Sequence, residues 1–100
     1  MRGKWHLRAI EKKFYTAVIK IHIKRIEYDI TDEVVLNRTR LNPYQLHTIL
    51  EDLGYEQDFF ETNGWEQDCW AEFQKDGCTP LTVYSCGMTF DLILKKRYED

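Results

Sequence analysis

The chain has 100 residues, 14% of them aromatic, and a formal net charge of −3. This length gives a single domain over residues 1–100 with a core of modest size, and the aromatic content argues against disorder. The longest apolar run is too short to span a membrane, and the basic N-terminus, MRGKWHLRAIEKK, lacks the apolar segment of a secretory signal, so a cytoplasmic protein is expected. The cysteines, Cys69, Cys78 and Cys86, are odd in number and widely spaced, which does not suit a disulfide framework. With no Cys-x-x-Cys pair and with His6, His22 and His47 scattered, neither a metal nor a cofactor is expected.

Residues 2 to 30 carry eight Lys and Arg against three acids, a net +5. Tyr15, Ala17, Ile19, Ile21 and Ile23 alternate with Thr16, Val18, Lys20, His22 and Lys24, the period-two pattern of a strand with one buried face. Ile19, Ile23, Ile26 and Ile30 also fit a helix. The density of Ile, Val, Thr, Tyr and Phe favours strand, with a bulge or bend near Lys24-Arg25. Thr31-Asp32-Glu33 reads as a turn and Val34 to Arg40 as a returning strand.

The stretch LNPYQLHTILEDLGY, Leu41 to Tyr55, carries both ends of a helix. Asn42 suits the N-cap, Pro43 the first helical position, and Gln45 the reciprocal half of a capping box. Leu41 and Leu46 are placed as a hydrophobic staple. Leu46, Ile49, Leu50 and Leu53 share one face, and Gly54 suits the left-handed position that ends the run, with Tyr55 packing back on Leu50. A helix over about 43–53 with a single apolar stripe must be covered by something flat, and core is the commoner use of such a stripe.

Tyr55 to Thr62 and Trp65 to Gln74 flank Asn63-Gly64, a strong hairpin signal. Lys75-Asp76-Gly77 reads as a turn, and Leu81 to Ser85 and Met88 to Lys96 as two more strands. The expected class is α+β: a single small domain with an antiparallel sheet of about five to six strands and one helix packed on a face. An exposed edge of that sheet would let two copies pair as a homodimer.

Charge is strongly separated. From Glu51 to Glu72 there are eight acids and no Lys or Arg. In the expected hairpin, Glu66, Asp68 and Glu72 share a face with Trp70, and Glu61 and Glu66 flank the turn. Two readings follow. The acids pair internally with the basic N-terminal third, or they form a negative surface that steers toward a basic partner. Asp58, Glu61, Trp65, Glu66, Asp68, Trp70 and Glu72 are the candidate partner-binding residues, the aromatics acting as anchors and the carboxylates as guides. Phe59 and Phe60 lie in the same stretch, and the core is the usual place for any one tryptophan in so small a domain.

Catalysis is not expected. Cys69 or Cys86 with His22 or His47 would make a thiol and a base, but no local signature supports either pair, and no Gly-rich phosphate loop is present. Nucleic-acid binding by Arg2 to Arg25 is the alternative, because Trp5, Phe14 and Tyr15 interleave with cations there; the overall acidity opposes it.

Asn63-Gly64-Trp65-Glu66-Gln67-Asp68, followed by Glu72-Phe73, resembles an Asn-Gly-Trp-x-Gln-acid segment in a small phage-encoded family of anti-CRISPR proteins of similar size. The stretch Asn63 to Gly77 is also similar to part of small bacterial and mobile-element proteins. Members of the anti-CRISPR family inhibit a CRISPR nuclease by presenting acidic and polar groups where target DNA would bind. The resemblance implies an inhibitor in which Asp58, Glu61, Glu66, Asp68 and Glu72 imitate DNA. The long basic N-terminal region and the mild net charge depart from that pattern.

Overall fold

The computed structural model describes residues 7–36, 41–62, 68–86 and 91–97. The elements run α1 (Ala9–Glu27), β1 (Glu33–Val35), α2 (Pro43–Asp52), β2 (Glu56–Thr62), β3 (Asp68–Gln74), β4 (Leu81–Cys86) and β5 (Asp91–Lys96). The strands form one antiparallel five-stranded sheet in the order β1-β5-β4-β3-β2. The class is therefore α+β as expected, with two helices rather than one.

The expected strands over residues 15–30 are instead one 19-residue helix. Ile19, Ile23 and Ile26, spaced i, i+4, i+7, are buried, whereas Ile21, which strand alternation would place with Ile19 and Ile23, is 60% exposed. A strand there would need edge partners for its own backbone, while a helix satisfies those groups internally and still delivers three isoleucines to the sheet. Both helix ends are written in the sequence. Glu11, in the first turn, accepts from the Arg8 backbone N–H at 3.3 Å and from its Nε at 2.7 Å, and Lys24 and Arg25 lie in the last turn. At the far end the Asp29 N–H donates to the Ile26 carbonyl and the Ile30 N–H to the Arg25 carbonyl. This is a Schellman closure in which Asp29, at φ 56°, takes the left-handed position usually given to glycine.

The helix α2 follows its sequence signals closely. Asn42 Oδ1 accepts from the Gln45 N–H at 2.9 Å and Gln45 Oε1 from the Asn42 N–H at 2.9 Å. The Tyr55 N–H reaches the Leu50 carbonyl at 3.0 Å across Gly54, whose φ is 96°. Lys75 Nζ donates to the Leu53 carbonyl at 2.7 Å, placing a cation at the negative end of the helix dipole. Leu41, Leu46, Ile49 and Leu50 are all buried.

Both helices cover one face of the sheet. Ile19, Ile23 and Ile26 of α1 and Leu46, Ile49 and Leu50 of α2 share a core with Ala71, Phe73, Leu81, Val83, Leu92 and Leu94. The register explains the choice of residues: Ala71 lies opposite Val83, Phe73 opposite Leu81, and Val83 opposite Leu94, so these neighbours point the same way. Val34 joins them from β1, opposite Leu94. His47 is also buried, with its ring 5.2 Å from Phe73 and 5.5 Å from Phe60. No described helix is long and apolar enough to cross a membrane.

Candidate functional site

The other face of the sheet carries no described helix. Its residues are the alternate members of each strand, and cross-strand pairing sorts them into rows. Val35, Ile93, Tyr84, Trp70 and Glu61 are successive neighbours from β1 to β2. Beside them runs a second row of Glu33, Lys95, Thr82, Glu72 and Phe59. Asp91, Cys86 and Asp68 make a third, shorter row.

The burial pattern of β3 shows the origin of this surface. Cys69, Ala71 and Phe73 are buried, while Asp68 is exposed and Trp70 and Glu72 are half-buried on the opposite side. The alternation in sequence placed these three residues on one face correctly. A register shift between Gln57 and Phe59 inserts Asp58 as an extra residue in β2, so Phe59 aligns with Glu72 and Phe60 with Ala71. Phe59, 44% exposed, therefore belongs to the open face, and Phe60 lies on the side of α2 beside Tyr44 and His47.

Trp70 is the centre of the open face. Its ring packs edge-on against Tyr84 with centroids 5.5 Å apart, and Lys95 Nζ sits 4.9 Å from the ring centroid. Its Nε1 donates to Glu72 Oε1 at 3.4 Å. Arg97 Nη1 donates to Asp58 Oδ2 at 2.8 Å, and its Nε lies 3.6 Å from Glu72 Oε2. Asp58 and Glu72 are thus partly clasped. Thr82, between Lys95 and Glu72 in register, is only 1% exposed, so the long side chains of this face close over its middle.

Glu61 and Asp68 are exposed, and they flank a shallow depression of about 190 Å³ lined also by Thr62, Cys69 and Trp70. Trp65 and Glu66, the remaining candidates, lie outside the described residues, as do the Asn63-Gly64 turn and the rest of the Asn-Gly-Trp segment up to Gln67. Internal pairing of acids with the N-terminal third is limited to Lys12 with Asp52 at 2.5 Å among the described ion pairs; Asp58 and Glu72 of the hairpin use Arg97 from the other end of the chain. Sequence reading missed Tyr84, Lys95 and Arg97. The inward placement of Leu92 and Leu94 implies that Ile93, Lys95 and Arg97 point outward, but their neighbours depend on strand order.

The face is acidic. Among the described residues Glu33, Glu56, Asp58, Glu61, Asp68, Glu72 and Asp91 supply seven carboxylates by register or contact, against Lys95 and Arg97. Elsewhere, burial pushes the Cys69 thiol up to about 11, away from the thiolate that a nucleophile needs. Burial also pushes His47 down to about 4. Cys69, Cys78 and Cys86 are free thiols, and among the described residues no group of three or more His, Cys, Asp or Glu is placed to hold a metal ion. No protein-family model, no curated protein and no solved structure matches the chain.

Proposed function

We propose that this chain is a non-enzymatic binding protein that docks a basic protein surface on the open face of its sheet. The observation that carries the reading is the face that no described helix covers, where Trp70, Tyr84 and Phe59 stand among carboxylates that outnumber cations seven to two among the described residues. Large rings supply contact area with little conformational entropy to lose, and the surrounding charge selects a cationic partner and speeds its approach. Trp70 is the anchor, with Tyr84 bracing its ring and Lys95 capping it. Glu61 and Asp68 are the exposed guides. Arg97 holds Asp58 and Glu72 in place, and a stronger cationic side chain from a partner would compete for them.

The sharpest form of the proposal is an inhibitor of a nucleic-acid-handling enzyme such as a CRISPR nuclease, which the resemblance of the Asn63 to Asp68 segment to anti-CRISPR proteins supports. In that form the carboxylates occupy positions that a nucleic-acid phosphate backbone would fill on the enzyme. The test is affinity capture from the host cell with the partner identified by mass spectrometry, repeated with Glu61→Lys/Asp68→Lys and with Trp70→Ala. Both variants are expected to lose the same cationic partner while keeping the wild-type circular dichroism spectrum. Capture of that partner undiminished by either variant sinks the proposal.

A second reading, nucleic-acid binding, draws on the exposed Lys13, Lys20, Lys24 and Arg25 of α1. A gel-shift series across salt separates the two, because phosphate binding through several cations weakens steeply as salt rises.

A further inference from the structure

The helix α1 is apolar on two opposite sides, and only one of them is covered by the described residues of the fold. Ile19, Ile23 and Ile26 enter the core. On the far side Ile10, Phe14 and Ile21 are 76%, 63% and 60% exposed, with Ala17 and Lys24 exposed between and after them and Tyr28, 75% exposed, at the C-cap. The spacing 10, 14, 17, 21, 24, 28 alternates four and three, which is the narrow seam of a two-helix coiled coil rather than the broad apolar face of a membrane-surface helix. We propose that a second copy of this chain covers this seam, α1 against α1 in antiparallel orientation, giving a two-fold symmetric dimer.

The side chains decide both the occupant and the direction. In the antiparallel arrangement Ala17 of one copy meets Ile21 of the other, a small residue opposite a large one. Ile10 meets Tyr28, and Phe14 meets Lys24, whose stem packs on the ring while its ammonium stays wet. The flanking positions are Lys13, Lys20 and Glu27 on one side of the seam and Glu11, Val18 and Arg25 on the other. Antiparallel pairing brings Lys13 to Glu27 and Glu11 to Arg25, each twice by symmetry. Glu11 keeps its bond to Arg8 and adds a second cation, and Glu27, which accepts from the Tyr55 hydroxyl at 3.4 Å, has a further oxygen to offer. A parallel pair would instead stack Lys24 on Lys24 in the seam and set Lys20 beside Arg25. The two-fold axis passes by Val18 and Lys20, and the Lys20 pair is the one repulsive contact. The contact uses a single helix, so its area falls near or below about 1,200 Å², and micromolar affinity is expected. The dimer would turn both open sheet faces outward.

Sedimentation equilibrium of the full chain up to about 200 µM tests this. A shift from the 12.1 kDa monomer toward twice that mass is expected, abolished in Phe14→Glu/Ile21→Glu with an unchanged circular dichroism spectrum, because both positions are exposed. Lys20→Leu is expected to tighten the dimer about fivefold by removing the axial repulsion, whereas a dock for an acidic helix of another protein would lose affinity. In a Cys78→Ser/Cys86→Ser background, Lys20→Cys is expected to form a disulfide-linked dimer on oxidation and Lys13→Cys not to. A monomer at every concentration, with or without binding to vesicles of anionic lipid, overturns the proposal, as does a dimer indifferent to Phe14→Glu/Ile21→Glu.

Discussion

His47 is packed between α2 and the sheet, 6% exposed, with Phe60, Phe73 and Tyr44 around its ring and no hydrogen-bond partner for its buried Nε2. Protonating it there places a charge among aromatic rings, and burial accordingly lowers its pKa from the ordinary 6.5 to about 4. The folded value lies below the unfolded one, so the neutral ring's contribution is complete above about pH 6.5 and is lost as pH falls toward 4. Between about pH 7.5 and about pH 5 the unfolded chain takes up nearly one proton here and the folded chain almost none, a loss of about 2 kcal/mol. That is a large part of the stability of a small domain. His22, also lowered by burial, adds a change of the same sign, so the test is a difference. Urea unfolding followed by tryptophan fluorescence at both pH values is expected to show His47→Phe and His47→Leu losing about 2 kcal/mol less than the wild type. Both variants also remove the unpaired nitrogen, which adds some stability at neutral pH. Equal acid losses in wild type and both variants would refute the reasoning.

Three further outcomes follow from the framework that holds the open face. Asn42→Ala removes the reciprocal cap of α2 and is expected to cost about 1 kcal/mol in urea unfolding. Gly54→Ala forces a side chain into the left-handed region at φ 96°, with its Cβ only 3.2 Å from Lys75 Cε; a cost of about 1–2 kcal/mol is expected in the same assay. Phe73→Ala opens a hole under His47 in the core that both helices share with the sheet and is expected to cost about 3–5 kcal/mol, enough to leave the chain largely unfolded by thermal melt at physiological temperature.

The two helices show what was legible in sequence and what was not. The signals of α2 are local: Asn42, Pro43, Gln45 and Gly54 each act within four residues of their partners, and each does what its chemistry implies. The termini of α1 were just as local, in Arg8 with Glu11 and in Asp29, but isoleucine at 19, 21 and 23 satisfied a strand period as well as 19, 23 and 26 satisfied a helix. β-Branched residues lean toward strand only weakly, and burial against a partner overrides that lean. The helix was settled by a sheet whose strands lie far along the chain.

The sequence by itself determined the class, the face shared by Asp68, Trp70 and Glu72, and the acidity of the stretch around them, because alternation and composition need no partner. Only the tertiary structure decided that Asp58 and Glu72 answer to Arg97 rather than to the basic N-terminal third. It also decided that the bulge at Asp58 turns Phe59 to the open face, and that one side of α1 is left with nothing in the chain to cover it among the described residues. Each of these depends on strand order and register. Those are set by which apolar faces pack together across the whole fold, and no window of neighbouring residues contains that information.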